Sequence, residues 1–199
     1  LLTALIGLVT AGVVNFLVLL PKYYHQIEDN LTLSEHKMYE LFALRCNELL
    51  LGKFHSDDSN ELLTKLTAII DKTETLTGYQ RDELRYHKNK EDEWKRLKHI
   101  SNRSYVDRIL TTHLSNIIYL PKNVNLIFTT EEKMAIIKIS NSIHDIPSNN
   151  YFERQKKSAS TLKSSVKLLE EFDQNQIKSH VIYEILLIYK LLDNRFKDK

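Results

Sequence analysis

The chain has 199 residues, 42% of them apolar and 27% charged, a balance that can build a core. Only 4 Gly and 3 Pro occur, too few for the regularly spaced turns of a sheet-rich fold, which leaves long helices joined by short loops. A formal net charge of +2 supplies no field for a polyanion, so nucleic acid is not an expected partner. The single cysteine, Cys46, excludes an internal disulfide and suits a reducing compartment.

Residues Leu1 to Leu20 carry no charge, and only Thr3, Thr10 and Asn15 among them are polar. A run of roughly 20 apolar residues is what a helix needs to cross the hydrocarbon layer. The run ends abruptly at Pro21-Lys22-Tyr23-Tyr24, where a cation and paired rings suit the membrane–water interface. A signal peptide would need a basic start and a small-residue cleavage site, and neither is present. A core helix would be shorter and would carry charge. The reading is therefore a transmembrane helix over residues 1–21, followed by a cytoplasmic helical domain over 22–199. The chain opens inside the apolar run and without Met, which reads as the C-terminal part of a longer protein.

Ala4, Gly7, Ala11 and Asn15 recur at helical spacing, so they share one face. A small-residue face lets helix backbones approach closely in a bilayer, and an amide can bond to a neighbour. The expected partners are membrane lipid and upstream membrane helices of the same protein. A single-span anchor is the alternative. Lys22, Lys37 and Arg45 follow the run and favour a cytoplasmic side for the remainder.

The spacing then predicts a helix from Gln26 to about Leu51, with Ile27, Leu31, Ser34, Met38, Leu41, Arg45 and Glu48 on one stripe. Gly52 is its expected C-cap, and Cys46 on this apolar helix reads as a small core residue. The cluster His55-Ser56-Asp57-Asp58-Ser59-Asn60 offers N-cap residues. A helix on Leu62, Leu63, Leu66, Ile69 and Ile70 follows, either breaking at Thr77-Gly78 or continuing through Arg85. Next comes a long helix ending before Pro121, with an expected face of Trp94, Leu97, Ser101, Tyr105, Ile109, Leu114 and Ile118. Thr129-Thr130-Glu131-Glu132 fits a capping box opening a helix lined by Met134, Ile137, Ile143 and Ile146, stopped by Pro147. Asn149 or Asn150 caps another, with Phe152, Ala159, Leu162, Val166, Leu169 and Phe172. Asn175 caps the last, with Ile177, Val181, Ile185, Ile188, Leu192 and Phe196. Its apolar stretch Val181–Leu192 is short and interrupted by Glu184 and Lys190, so it predicts a central bundle helix rather than a second span. The fold class is all-α: one transmembrane helix and a cytoplasmic bundle of about five to six antiparallel helices.

Chemistry is sparse. Beyond residue 20 only Gly52 and Gly78 occur, so a glycine-rich phosphate loop cannot form there. The eight histidines never stand at i, i+4, and His144-Asp145 is an ordinary dipeptide, so no metal or cofactor is expected. No nucleophile with a base can be picked out, and an enzyme is not expected. One group is dense in donors: Arg81, Arg85, Tyr86, His87 and Lys88, followed by Trp94. Arg81 and Arg85 at i, i+4 could hold a carboxylate from two sides while Tyr86 or Trp94 stacks on an aromatic ligand. A solvated helix end balanced by Asp82, Glu83, Glu91 and Asp92 is the plainer alternative.

The runs Leu5-Ile6-Gly7-Leu8-Val9, Val13-Val14-Asn15 and Leu20-Pro21-Lys22-Tyr23 resemble the end of the membrane domain in the aromatic acid exporter family of Gram-positive bacteria, which is related to fusaric acid resistance proteins. Leu84-Arg85-Tyr86-His87 and the closing Tyr183-Glu184-Ile185-Leu186-Leu187-Ile188-Tyr189-Lys190-Leu191-Leu192 resemble its C-terminal cytoplasmic domain. The resemblance implies efflux of small aromatic or carboxylated compounds. The domain present would then serve assembly, gating or ligand sensing, with a small aromatic acid and a second copy of the chain as further partners. The alternative is a membrane-anchored signalling or scaffold bundle that binds a partner protein.

Overall fold

The computed structural model describes residues 23–86, 91–122, 124–143, 151–170 and 176–197. Among them are six α-helices and no strand: α1 (Tyr24–Leu50), α2 (Asp57–Arg85), α3 (Glu91–Ile118), α4 (Thr130–Asn141), α5 (Tyr151–Glu170) and α6 (Gln176–Lys197). The expected membrane helix over 1–21, with its face of Ala4, Gly7, Ala11 and Asn15, lies outside the described residues, as do His87, Lys88 and His144-Asp145. Among the described residues no helix is long and apolar enough to cross a membrane.

α1 forms where its spacing predicts, and every member of its expected stripe is buried. It closes in a Schellman arrangement: the Lys53 N–H donates to the Glu48 carbonyl (2.8 Å) and the Gly52 N–H to that of Leu49 (3.1 Å). This turn needs a left-handed residue, and Gly52 supplies it at φ +75°. Ser56 then caps α2, its hydroxyl accepting from the Ser59 N–H at 3.2 Å. α2 runs unbroken through Thr77-Gly78 to Arg85, because the tertiary contacts of Leu76 and Leu84 hold the helix across the glycine.

α1, α2 and α3 pack on one another, α4, α5 and α6 form a second set, and the two sets meet where α3 touches α6 and α1 touches α4. The α1–α3 set is antiparallel in succession. The start of α1 lies by the end of α2, where the Tyr23 N–H donates to Gln80 Oε1, and by the start of α3, where Tyr24 Oη donates to the Glu93 carbonyl, both at 3.1 Å. Two apolar clusters fill it. The larger takes Met38–Leu49 of α1, Leu63–Ile70 of α2, Leu110–Ile118 of α3 and all three later helices. The smaller holds Tyr24, Ile27, Leu31, Leu76, Leu84, Leu97 and Ile100, from the first three helices alone.

Two expected faces are rotated, and a third forms as expected apart from its first residue. On α3 the buried side carries Leu97, Ile100, Ser104, Asp107, Leu110 and Leu114, while Trp94 and Tyr105 are exposed. On α4 Ala135, Ile136 and Ile139 face inward and Met134 and Ile137 outward. On α6 Val181, Ile182, Ile185, Ile188 and Leu192 are buried, and Ile177 is exposed. On α3 the aromatic residues Trp94 and Tyr105 read as anchors in the sequence, whereas the packed side includes the polar Ser104, Asp107 and Thr111. On α4 the buried stripe lies one to two residues further along the chain than expected. The Thr129–Glu132 capping box forms as expected. Glu132 also takes Lys178 Nζ at 2.7 Å, which ties the start of α4 to the start of α6.

Candidate functional site

Arg81, Arg85 and Tyr86 stand at the end of α2 and Trp94 at the start of α3, so the antiparallel turn brings all four to one end of the bundle. Only two of them share a cavity. Arg81 and Trp94 line a shallow cleft of about 490 Å³, together with Glu91, Lys95 and Lys98. Arg85 pairs instead with Asp82 at 3.2 Å, both side chains about two-thirds exposed (66% and 65%). The acidic neighbour thus takes the Arg85 guanidinium, as the plainer sequence reading held. Tyr86 is 78% exposed and stands clear of the cleft.

The same end holds Tyr79 and Arg96, which the sequence did not single out, and the Tyr23-Tyr24 pair, which it read as an interface anchor but whose Tyr24 is buried in the bundle. The Tyr23 and Tyr79 rings lie 5.8 Å apart. The Arg96 guanidinium sits 4.4 Å over the Tyr24 ring and its Nε donates to Glu28 at 3.1 Å. Burial, followed by the nearby charge of Glu93, holds the Tyr24 phenol above its ordinary range. Tyr24 thereby joins α1 to α3 through its ring and its hydroxyl together.

A second polar group lies between α3 and α6. Glu184 is buried, its Oε1 accepts from Asn116 Nδ2 (2.9 Å), its Oε2 meets His113 Nδ1 (2.6 Å), and His180 stands 3.7 Å away. Both carboxylate oxygens are engaged, so the group acts as a strut between helices. The signal in the sequence was Glu184 itself, a charge inside the apolar stretch of α6. Among the described residues no group of three or more His, Cys, Asp or Glu could hold a metal ion.

A third group is fully enclosed. Arg45 has no exposed surface and donates through Nε to the Ile117 carbonyl (2.7 Å), through Nη1 to Glu48 (3.1 Å) and the Lys53 carbonyl (2.9 Å), and through Nη2 to the Phe54 carbonyl (2.7 Å). Glu48 in turn accepts from the hydroxyls of Ser56 and Ser59. Every donor is directed into the fold, so this is a lock on the α1–α2 loop and no ligand can reach it. Burial depresses the Arg45 pKa, and Glu48 opposes that shift.

No family model matches the chain. No solved structure matches it. It is similar to UPF0421 proteins of staphylococci. One from Staphylococcus haemolyticus is 79% identical over 199 residues, which is 100% of this chain and 60% of the relative. One from Staphylococcus epidermidis is 63% identical over 196 residues, 98% of this chain and 60% of the relative. One from Staphylococcus aureus is 51% identical over 195 residues, again 98% and 60%. The chain thus spans 60% of the length of the curated relatives it matches. The resemblance to the aromatic acid exporter family rests on the residues quoted above.

Proposed function

We propose that this chain is the final membrane helix and the cytoplasmic helical domain of a membrane transporter that exports small aromatic or carboxylated compounds, with the domain serving assembly and gating. The observation that carries the reading is the position of α1. The apolar run Leu1–Leu20 passes within a few residues into Tyr24, and α1 is the helix that packs on α2, α3 and α4. A displacement of the membrane segment would be transmitted to the bundle along one stiff element, whose inner face is buried from Ile27 to Leu49. That arrangement suits a domain that couples to a membrane path.

Cells lacking the full-length protein should accumulate more of an added hydroxybenzoate than cells expressing it. Equal accumulation across a panel of aromatic acids would remove the transport reading and leave the anchored scaffold. Ligand sensing is supported by the cleft that Arg81 and Trp94 share. A saturable change in Trp94 fluorescence with benzoate, lost in Arg81→Ala, would establish it. No change at millimolar benzoate would dismiss it.

A further inference from the structure

We infer that the end of the bundle formed by the close of α2 and the start of α3 is a docking surface for the headgroup layer of the bilayer. The inference rests on the reading of Leu1–Leu20 as membrane-embedded and goes beyond it, because a chain can be anchored without its folded domain touching lipid.

Three observations converge. Residues 1–22 lie outside the described fold and enter it at Tyr23, whose N–H bonds to Gln80 near the end of α2. The place where the apolar run meets the bundle is therefore the α2–α3 end and not the opposite one. That end exposes rings: Tyr86 at 78%, Tyr79 at 54% and Trp94 at 39%. Phenol and indole rings have an apolar body and a polar tip, and they settle at headgroup depth. Cations are interleaved with them. Arg85 and Lys95 are engaged by Asp82 and Glu91, whereas Arg81 and Lys98, both exposed, have no ion-pair partner among the described residues. A long cationic side chain beside a ring can reach a lipid phosphate while its stem covers apolar surface.

The charge count separates this surface from a simple basic patch. Over residues 81–98 of the sequence seven cations (Arg81, Arg85, Lys88, Lys90, Lys95, Arg96 and Lys98) stand against five anions (Asp82, Glu83, Glu91, Asp92 and Glu93). Net attraction to anionic lipid is therefore modest, and the rings supply most of the contact. The association of this end with the bilayer should survive high salt, which screens surface charge but leaves ring partitioning in place.

Trp94 is the only tryptophan in the chain, so it reports without engineering. The whole 199-residue chain is reconstituted into phosphatidylcholine–phosphatidylglycerol vesicles, with and without a lipid bearing a nitroxide on its headgroup. The expected result is flotation with the vesicles and loss of most Trp94 emission in the presence of the nitroxide. Tyr79→Ser/Tyr86→Ser should recover much of that emission without changing flotation. Tyr119→Ser/Tyr183→Ser, exposed positions away from this end, should change neither. Flotation with unquenched Trp94 would overturn the docking surface and leave the membrane anchor intact. Quenching indifferent to Tyr79 and Tyr86 would also overturn it. Failure to float would overturn both readings. Trp94 shielded from aqueous quencher but untouched by the nitroxide lipid would assign the surface to a second copy of the chain and overturn the bilayer as its occupant.

Discussion

The two halves of the α1–α3 set are built from the same helices yet held in different ways. In the half that includes Met38–Leu49, the three helices are covered by α4, α5 and α6, and one cluster runs through all six. In the half that includes Tyr24–Leu31, three helices close on seven buried residues, and none of the other described helices joins that cluster. The boundary is polar on every helix. Ser34 of α1, Thr73 of α2, and Ser104 and Asp107 of α3 are all buried between the two clusters, and Thr77 of α2 is buried beside the smaller one. Ser34 Oγ reaches Asp107 at 2.8 Å, and Thr73 and Thr77 bond back into their own helix at 2.7 Å. A polar layer contributes less burial energy than an apolar one but fixes the register of the helices across it. The half that includes Met38–Leu49 shares the larger core, and the half that includes Tyr24–Leu31, with the smaller one, is where local opening loses fewer apolar contacts.

The strongest way to break the covered half is to remove Arg45. Arg45→Met leaves Glu48 buried with its charge partner gone and strips the bonds on the Ile117, Lys53 and Phe54 carbonyls. Removing one partner of a buried pair costs about 3–5 kcal/mol. Urea titration in mild detergent, followed by helical circular dichroism, should show a loss of that order. The double variant Arg45→Met/Glu48→Leu should lose less than the two single changes summed, since no lone charge remains. An Arg45→Met protein as stable as its parent would mean that the loop lock contributes nothing.

The contrast itself is sharpened by hydrogen exchange. Amides of Ile27–Leu31, Leu76–Leu84 and Leu97–Ile100 should exchange faster than those of Leu41–Leu49 and Leu110–Ile117, because local opening is cheaper where fewer apolar contacts are lost. Ser34→Ala, which removes the hydroxyl that donates to buried Asp107, should cost about 1 kcal/mol and widen the difference. Uniform protection along α1 would show that the polar layer does not divide the set.

Cys46 gives the covered half a chemical reporter. Burial pushes its thiol up to about 12, so in the fold it stays neutral and unreactive. The unfolded thiol ionises from about 8.5. The folded state thus binds the proton more tightly, and this contribution to stability is full below the unfolded value and is lost as pH rises from there toward the folded one. Labelling with a disulfide reagent at mildly alkaline pH should run at the rate of unfolding. Fast labelling of the folded chain would show that this half opens locally.

Much of this was legible in sequence where local rules decide. The α1 stripe, the Gly52 turn, the Ser56 cap and the Thr129–Glu132 box each depend on residues within a few positions of one another. The rotated faces of α3 and α4 were not legible, because a tyrosine, tryptophan or methionine at the right spacing looks like an anchor until its neighbours are known. Asp107 shows the other side of the problem: a carboxylate is assigned outward by composition, yet it is buried and accepts from the facing Ser34. Arg81 and Trp94 were found as a pair by counting donors near a ring, but Tyr23 and Tyr79 join them only through the antiparallel return of α2.

The smallest expected effect is at Arg85, and its smallness is informative. Its ion pair with Asp82 spans one helical turn, with both side chains largely in solvent. Such a pair gains little, because water screens the attraction and two flexible side chains lose freedom to form it. Arg85→Ala should leave the urea midpoint unchanged within error. Arg45 carries the same guanidinium with no exposed surface, and its loss should be the most damaging change proposed. The pair of variants therefore measures what enclosure adds to one chemical group at the two ends of the first three helices. A clear destabilisation by Arg85→Ala would mean that the uncovered end is more tightly organised than its exposure implies, with Arg85 engaged by a neighbour beyond Asp82. In that event the end of α2 would be a structural joint, and Tyr79, Tyr86 and Trp94 would have to be weighed as parts of it.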